Sequence, residues 1–187
     1  MEKNHLKAAV IGGLIVFLWG MISWMVFPWH EKCFKKFADE SEVASVIKDN
    51  AKTDGVYVLP NTFAYQDGTS QKEMTRSMGM MEKGPFMFAV VHPKGMGKMT
   101  MKPFVLSLII SIIGAYIATW MFLQTKALNF KKKVGFFAMF GLGVAVLGEL
   151  PAWNWWGAPF GFVFIHMLDH VIGWTLAGFG IAKIFKK

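Results

Sequence analysis

Four long stretches with almost no charge, separated by segments that carry nearly every charged residue, constrain this chain more than any other feature. They cover residues 8–27, 104–123, 134–150 and 160–182. A soluble fold interleaves apolar and polar residues at helical or strand period, because each element turns one face to a core and another to water. Here the two kinds of residue are segregated along the chain, with 54% hydrophobic and only 17% charged residues overall. A helix crosses a hydrocarbon core of about 30 Å with roughly 20 residues, and backbone amides in lipid need partners inside their own segment. Transmembrane helices are therefore expected at all four stretches. The third is the shortest, and it reaches span length if it runs on through Pro151 to Trp153, Trp155 and Trp156 while tolerating Glu149.

The first stretch follows Lys3 and Lys7, as the core of a secretory signal would. It is too long for that, and Phe27-Pro28-Trp29-His30 follows it instead of a small-residue cleavage site, so an uncleaved anchor is expected. Basic residues near helix ends set orientation. Lys3 and Lys7, then Lys126, Lys131, Lys132 and Lys133, then Lys183, Lys186 and Lys187 lie in three segments with one acid, Glu2. Residues 28–102 hold eleven basic and nine acidic residues. Both termini are expected in the cytoplasm and 28–102 outside it, in the manner of a bacterial inner-membrane protein. The formal charge of +8 is then a topology signal, and no aromatic-interleaved basic patch points to nucleic acid. Trp24 and Trp29 suit the outer end of the first helix. Trp153, Trp155 and Trp156 are expected in an outer turn, between Pro151 and Pro159, that folds helices three and four into a hairpin.

The expected fold is thus a membrane all-α bundle of four transmembrane helices, with a small α+β extracytoplasmic domain inserted between the first and second. The division is 1–27, 28–102 and 103–187. Within the inserted domain, 40–51 reads as a helix capped by Asp39 or Ser41, and 55–60 as a strand after an Asp-Gly turn. Residues 70–83 read as a polar helix and 86–91 as a second strand, the strands pairing in one small sheet. Two strands are marginal alone, so this domain is expected to lean on its helices, the bilayer or a partner. The single cysteine, Cys33, excludes an internal disulfide and leaves either a small buried side chain or a bridge between copies.

Three features carry the candidate chemistry. The fourth helix holds His166, Asp169 and His170, which share a face at i, i+3 and i+4, and the third holds Glu149 near its outer end. Charged groups at bilayer depth cost about 2.5–3.5 kcal/mol on insertion scales, so they face protein and have partners. The hairpin brings Glu149 and His166 to similar depth, which predicts an acid–imidazole cluster. A polar clasp between helices is the plainest role, a proton or ion relay the next, and a metal or haem site the third.

Methionine is the second feature: eight of the fourteen lie between Met74 and Met101. Met78, Met80, Met81, Met96, Met99 and Met101, with His92, make a soft-ligand set that would suit copper(I). The competing reading is an interfacial segment in which Met serves as flexible filler. The third feature is glycine. Gly114/Ala118, Gly141, Gly143, Gly148, Gly157/Gly161 and Gly173/Ala177 give small-residue spacings for close helix packing.

No nucleotide-binding glycine loop, nucleophile elbow, paired-cysteine motif or internal repeat is present, and no catalytic set is expected. The leading expectation is a non-catalytic accessory or assembly subunit, embedded in lipid beside a membrane-protein partner or its own copies. Copper handling through the Met-rich segment and a small oligomeric, proton-coupled transporter using Glu149 and Asp169 are the alternatives.

Overall fold

The structure, a computed structural model, describes residues 2–62 and 70–185. Lys186 and Lys187, part of the expected cytoplasmic charge, lie outside the described residues. The chain divides into two compact units, Lys36–Met99 and the remainder, Met1–Lys35 with Thr100–Lys187.

The smaller unit has the helix–strand–helix–strand order read from its residues: α2 (Glu40–Asn50), β1 (Gly55–Leu59), α3 (Gln71–Lys83) and β2 (Met87–Val91). Asp39, not Ser41, caps α2, accepting from the Glu42 amide at 2.9 Å. Ser70 and Glu73 form a capping box at the start of α3, each side chain accepting the other's backbone N–H. Those bonds from Ser70 hold the Glu73 carboxyl below its ordinary pKa. The strands pair antiparallel, with Gly55 opposite Val91 and Leu59 opposite Met87. Among the described residues of this unit only Ala51 and Pro60 are buried, so its core is thin.

The larger unit contains α1 (Glu2–Val26), a short 3-10 turn (Glu31–Cys33), α4 (Lys102–Leu123), α5 (Phe130–Trp156) and α6 (Phe160–Ile184). Its four long helices fall on the four apolar stretches, and each is long and apolar enough to cross a membrane. The third does continue through Pro151, which it carries inside the helix. This corrects the expected turn: Trp153, Trp155 and Trp156 belong to the last turns of α5, and only Gly157-Ala158-Pro159 connects it to α6. Gly157 stops the helix in the left-handed region (φ 68°), and the next amide, that of Ala158, returns to the Ala152 carbonyl at 3.1 Å.

α1 packs between α4 and α6, α5 lies along α6, and α4 meets α5 where Phe122 approaches Phe137 with ring centroids 5.5 Å apart. The core sits toward the end of the unit that holds the α1 N-terminus. Ala8, Ala115, Ala118, Phe122, Phe137, Trp174, Ala177 and Ile181 cluster there. Small side chains let backbones approach, which is how helices gain packing energy where no water is expelled. The closest approach to a neighbouring backbone involves Gly13, which is absent from the small-residue spacings above: a Cβ there would lie 2.5 Å from Ile112 Cα. Gly141 makes similar room, since its Cβ would meet the His170 carbonyl and Trp174 Cβ, both at 2.7 Å. Gly143, Gly148 and Gly161 meet no other described residue within 4 Å of a built Cβ. Lys133, expected only as a topology charge, is buried and its Nζ donates to the Phe185 carbonyl, closing the end of α6.

Gly13→Ala tests the α1–α4 contact, because the obstacle is backbone and cannot rotate away. Unfolding in detergent should show a loss of about 1–3 kcal/mol. Gly20→Ala, which meets open space on the same helix, should be neutral or slightly stabilising.

Candidate functional site

α6 presents His166, Asp169 and His170 on one face, as their spacing requires. Each meets a different environment. The Asp169 carboxylate takes its partners from α1 and from the chain just beyond it. Ser23, fully buried, donates its hydroxyl to Asp169 Oδ1 at 2.5 Å. His30 Nε2 lies 2.8 Å from Asp169 Oδ2 and 3.0 Å from Ser23 Oγ. Trp29 Nε1 donates to the same Ser23 oxygen at 3.0 Å.

Local chain geometry delivers these groups. α1 stops at Val26, ahead of Pro28, and a turn closed by Lys32 N–H to the Pro28 carbonyl folds the chain back. His30 then stacks on Trp24 with centroids 4.0 Å apart and planes within 9°, and is 3% exposed. An unprotonated Nε2 would point its lone pair at the carboxylate, so a proton lies between His30 and Asp169, held as Nε2–H on the imidazole or on the acid.

Glu149 of α5 meets α6 through His170, with Nε2 to Oε1 at 3.0 Å. The expected acid–imidazole cluster between these helices is therefore assembled from Glu149 and His170. His166 makes no hydrogen bond to Glu149 but lies within reach of its charge, and its ring is 4.4 Å from that of Phe162, 5.3 Å from that of His30 and 5.6 Å from that of Trp24. Its Nε2 is buried and finds no hydrogen-bond partner among the described residues. Trp19 Nε1 is in the same state.

Both unpartnered rings line one cleft of about 420 Å³, floored by α1 and walled by α4 and α6. Asp169 and His170 reach it too, and the rest of its wall is mainly Trp24, Phe17, Phe104 and Trp174. Trp174 closes its deep end against Gly114, where a Cβ would meet the indole at 3.5 Å.

Met78, Met80 and Met81 lie on α3, and Met96 and Met99 follow β2 at 87% and 92% exposure. Met101 belongs to the other unit, and His92 Nδ1 is 3.1 Å from Asp54. Among the described residues no group of three or more His, Cys, Asp or Glu is gathered as a metal site. Cys33 donates weakly to the Trp29 carbonyl at 3.4 Å.

His30 belongs to the larger unit, although the division at residue 28 assigns it to the inserted domain, and Ser23 and Trp19 join the site without any motif to mark them. A serine one turn before the end of an apolar helix, with His seven residues later, was the available signal. No family model matches the chain, and no curated protein or solved structure matches it either.

Asp169→Asn replaces one acceptor by an amide donor, so either Ser23 or His30 then faces a donor. The expected cost is about 1–3 kcal/mol in detergent unfolding, toward the upper end because a carboxylate is involved. His30→Ala combined with Asp169→Asn should cost clearly less than the two single changes added, since both remove the same bond.

Proposed function

We propose that this chain is a four-span membrane protein acting as a non-catalytic accessory or assembly subunit of a membrane complex. The observation that carries the reading is how its intramembrane polar groups are used. Asp169 is bonded to Ser23 and His30, and Glu149 to His170, which is the pattern of a clasp between helices. Ser23, His30 and Asp169 have the composition of a nucleophilic triad but not its order. The hydroxyl proton goes to the carboxylate, the imidazole meets both through one nitrogen, and Ser23 is fully buried. Nothing in that arrangement generates a nucleophile.

The membrane placement rests on the four apolar helices and on the large side chains they leave exposed, such as Leu14, Leu18, Ile22, Ile110, Ile113 and Leu147. Such faces suit lipid or the helices of a partner. The lysine distribution supports a reading in which both termini lie in the cytoplasm of a bacterial inner membrane and residues 28–102 outside it. In this reading that segment is the part that meets an extracytoplasmic partner.

A second reading has one observation in its favour. Asp169 and His170 are neighbours in sequence and line the same cleft, each already paired with a proton-exchanging group. A proton-coupled component would use such a row.

Lys48→Cys and Lys126→Cys, each made in a Cys33→Ser background, test the topology. In cells with a permeabilised outer layer, a membrane-impermeant maleimide should label position 48, and position 126 only after lysis. The reverse pattern would overturn it. For the role, the complex extracted in mild detergent should exceed the 21.0 kDa of one chain and survive Asp169→Asn with lowered thermal stability. Loss of proton flux in liposomes by a folded Asp169→Asn protein would instead establish the coupled reading.

A further inference from the structure

A second cavity, of about 400 Å³, lies where the four long helices begin or end on the side of the α1 N-terminus. Asn4 of α1, Leu123 of α4, Lys126 in the connection that follows, Lys133 of α5, and Ile184 and Phe185 at the end of α6 line it. Lys126 is exposed and Lys133 is buried, and neither has a carboxylate partner among the described residues. The Lys133 ammonium carries three N–H bonds, and its hydrogen bond to the Phe185 carbonyl uses one of them. A lysine buried to this degree ordinarily has a partner of opposite charge.

Topology alone does not account for this arrangement. Lysines that set orientation do so from exposed positions, as Lys131 and Lys132 can. Lys133 is 8% exposed and sits in the first turn of α5, where the positive end of the helix dipole disfavours a cation. A bound anion would offset both costs. The three segments that carry the topology lysines hold a single acidic side chain, Glu2, so the sequence offers little to neutralise them. The rest of the cavity wall selects the body of the anion. Phe122, Leu128, Ile184 and Phe185 are apolar, and a small inorganic ion would leave their surface uncovered. Lysine meets phosphate as a point charge, without the planar fork that suits a carboxylate. A phosphate diester carrying acyl chains, held at headgroup level, supplies both the charge and the apolar body.

We propose that this cavity binds the phosphate of an anionic phospholipid, with Lys126 and Lys133 as its cationic groups and the apolar wall against the glycerol and first acyl carbons. The proposal rests on the membrane reading above for the source of the ligand, and it is independent of the subunit role. Free phosphate brings the same charge but lacks the apolar body that the wall favours.

The test is native mass spectrometry of the full chain, delipidated in mild detergent and titrated with equal amounts of dioleoylphosphatidylglycerol and dioleoylphosphatidylcholine. Preferential retention of one phosphatidylglycerol per chain is expected. Lys126→Gln, at an exposed position, should weaken that binding about tenfold, the worth of one charge-assisted hydrogen bond. Lys133→Gln, whose amide can still donate to the Phe185 carbonyl, should weaken it at least as much. Lys131→Gln, exposed on the same helix but outside the cavity wall, should cost clearly less. Circular dichroism of each variant checks that its helices persist. Equal retention of the two lipids or unchanged affinity in Lys126→Gln would overturn the proposal. So would equal losses in Lys126→Gln and Lys131→Gln, the mark of a diffuse surface field. Displacement of the lipid by inorganic phosphate would overturn the lipid assignment in favour of a soluble phosphate. A Lys133→Gln protein that loses stability but keeps the lipid would reduce Lys133 to the cap of α6 and overturn its part in the site. None of these outcomes alters the maleimide pattern, so the two ideas fail separately.

Discussion

The larger unit depends on a single carboxylate. Asp169 lies in the middle of an apolar helix, where an unpaired charge is expensive, and the chain supplies it with two donors from outside that helix. Ser23 comes from the last turns of α1 and His30 from the turn beyond. Satisfying Asp169 therefore pins the end of α1 to α6 and at the same time reverses the chain after Pro28. Trp24 stacks on His30, Trp29 donates to Ser23, and Phe34 packs against Phe162 with centroids 6.0 Å apart. This is why the compact unit extends to Lys35 and does not stop where the apolar run stops.

The shape of the cleft follows from where small residues sit along α1, α4 and α6. Toward the α1 N-terminus, Ala8, Gly13, Ala115, Ala118 and Ala177 allow close backbone approach, and the core is dense. At the other end the facing positions are Trp19, Trp24, Phe104 and His166, whose bulk holds the helices apart. Trp174 marks the level of the change. It is seated beside Gly141, touches Gly114, and meets Phe140 edge-on with centroids 4.7 Å apart. The transition from packed to open is thus a direct consequence of side-chain size at successive turns.

Much of this was legible in the residues, and the part that was not has a physical reason. Uncharged stretches of span length, the Asp39 cap, the Ser70–Glu73 box and the paired strands depend on local chemistry or on length, which a sequence displays directly. Rotation about a helix axis is different. In a soluble helix an apolar stripe shows which face turns inward, but α1 and α4 are apolar on nearly every side, and on α5 and α6 only the few polar residues mark a face. His166 and His170 are one turn apart and equally plausible as partners for Glu149; only the packed helices distinguish them. His30 was misplaced for a related reason. Pro28 correctly ends the helix, yet ending a helix does not say whether the chain leaves the unit or turns back over it.

The same packing separates groups that hold the unit together from groups whose bonding it leaves incomplete. Ser23, His30, Asp169, Glu149 and His170 form bonds among themselves, and each bond accounts for a residue type that would otherwise be out of place in an apolar helix. Such groups are explained by the fold. Trp19 and His166 are not, since phenylalanine would fill either position without leaving a buried nitrogen unpaired. Both line the cleft that the change in side-chain size opens, next to the clasp that fixes α1 against α6. Their nitrogens are shielded by the side chains packed around them, so the fold leaves two buried donors incomplete beside the clasp that joins α1 to α6.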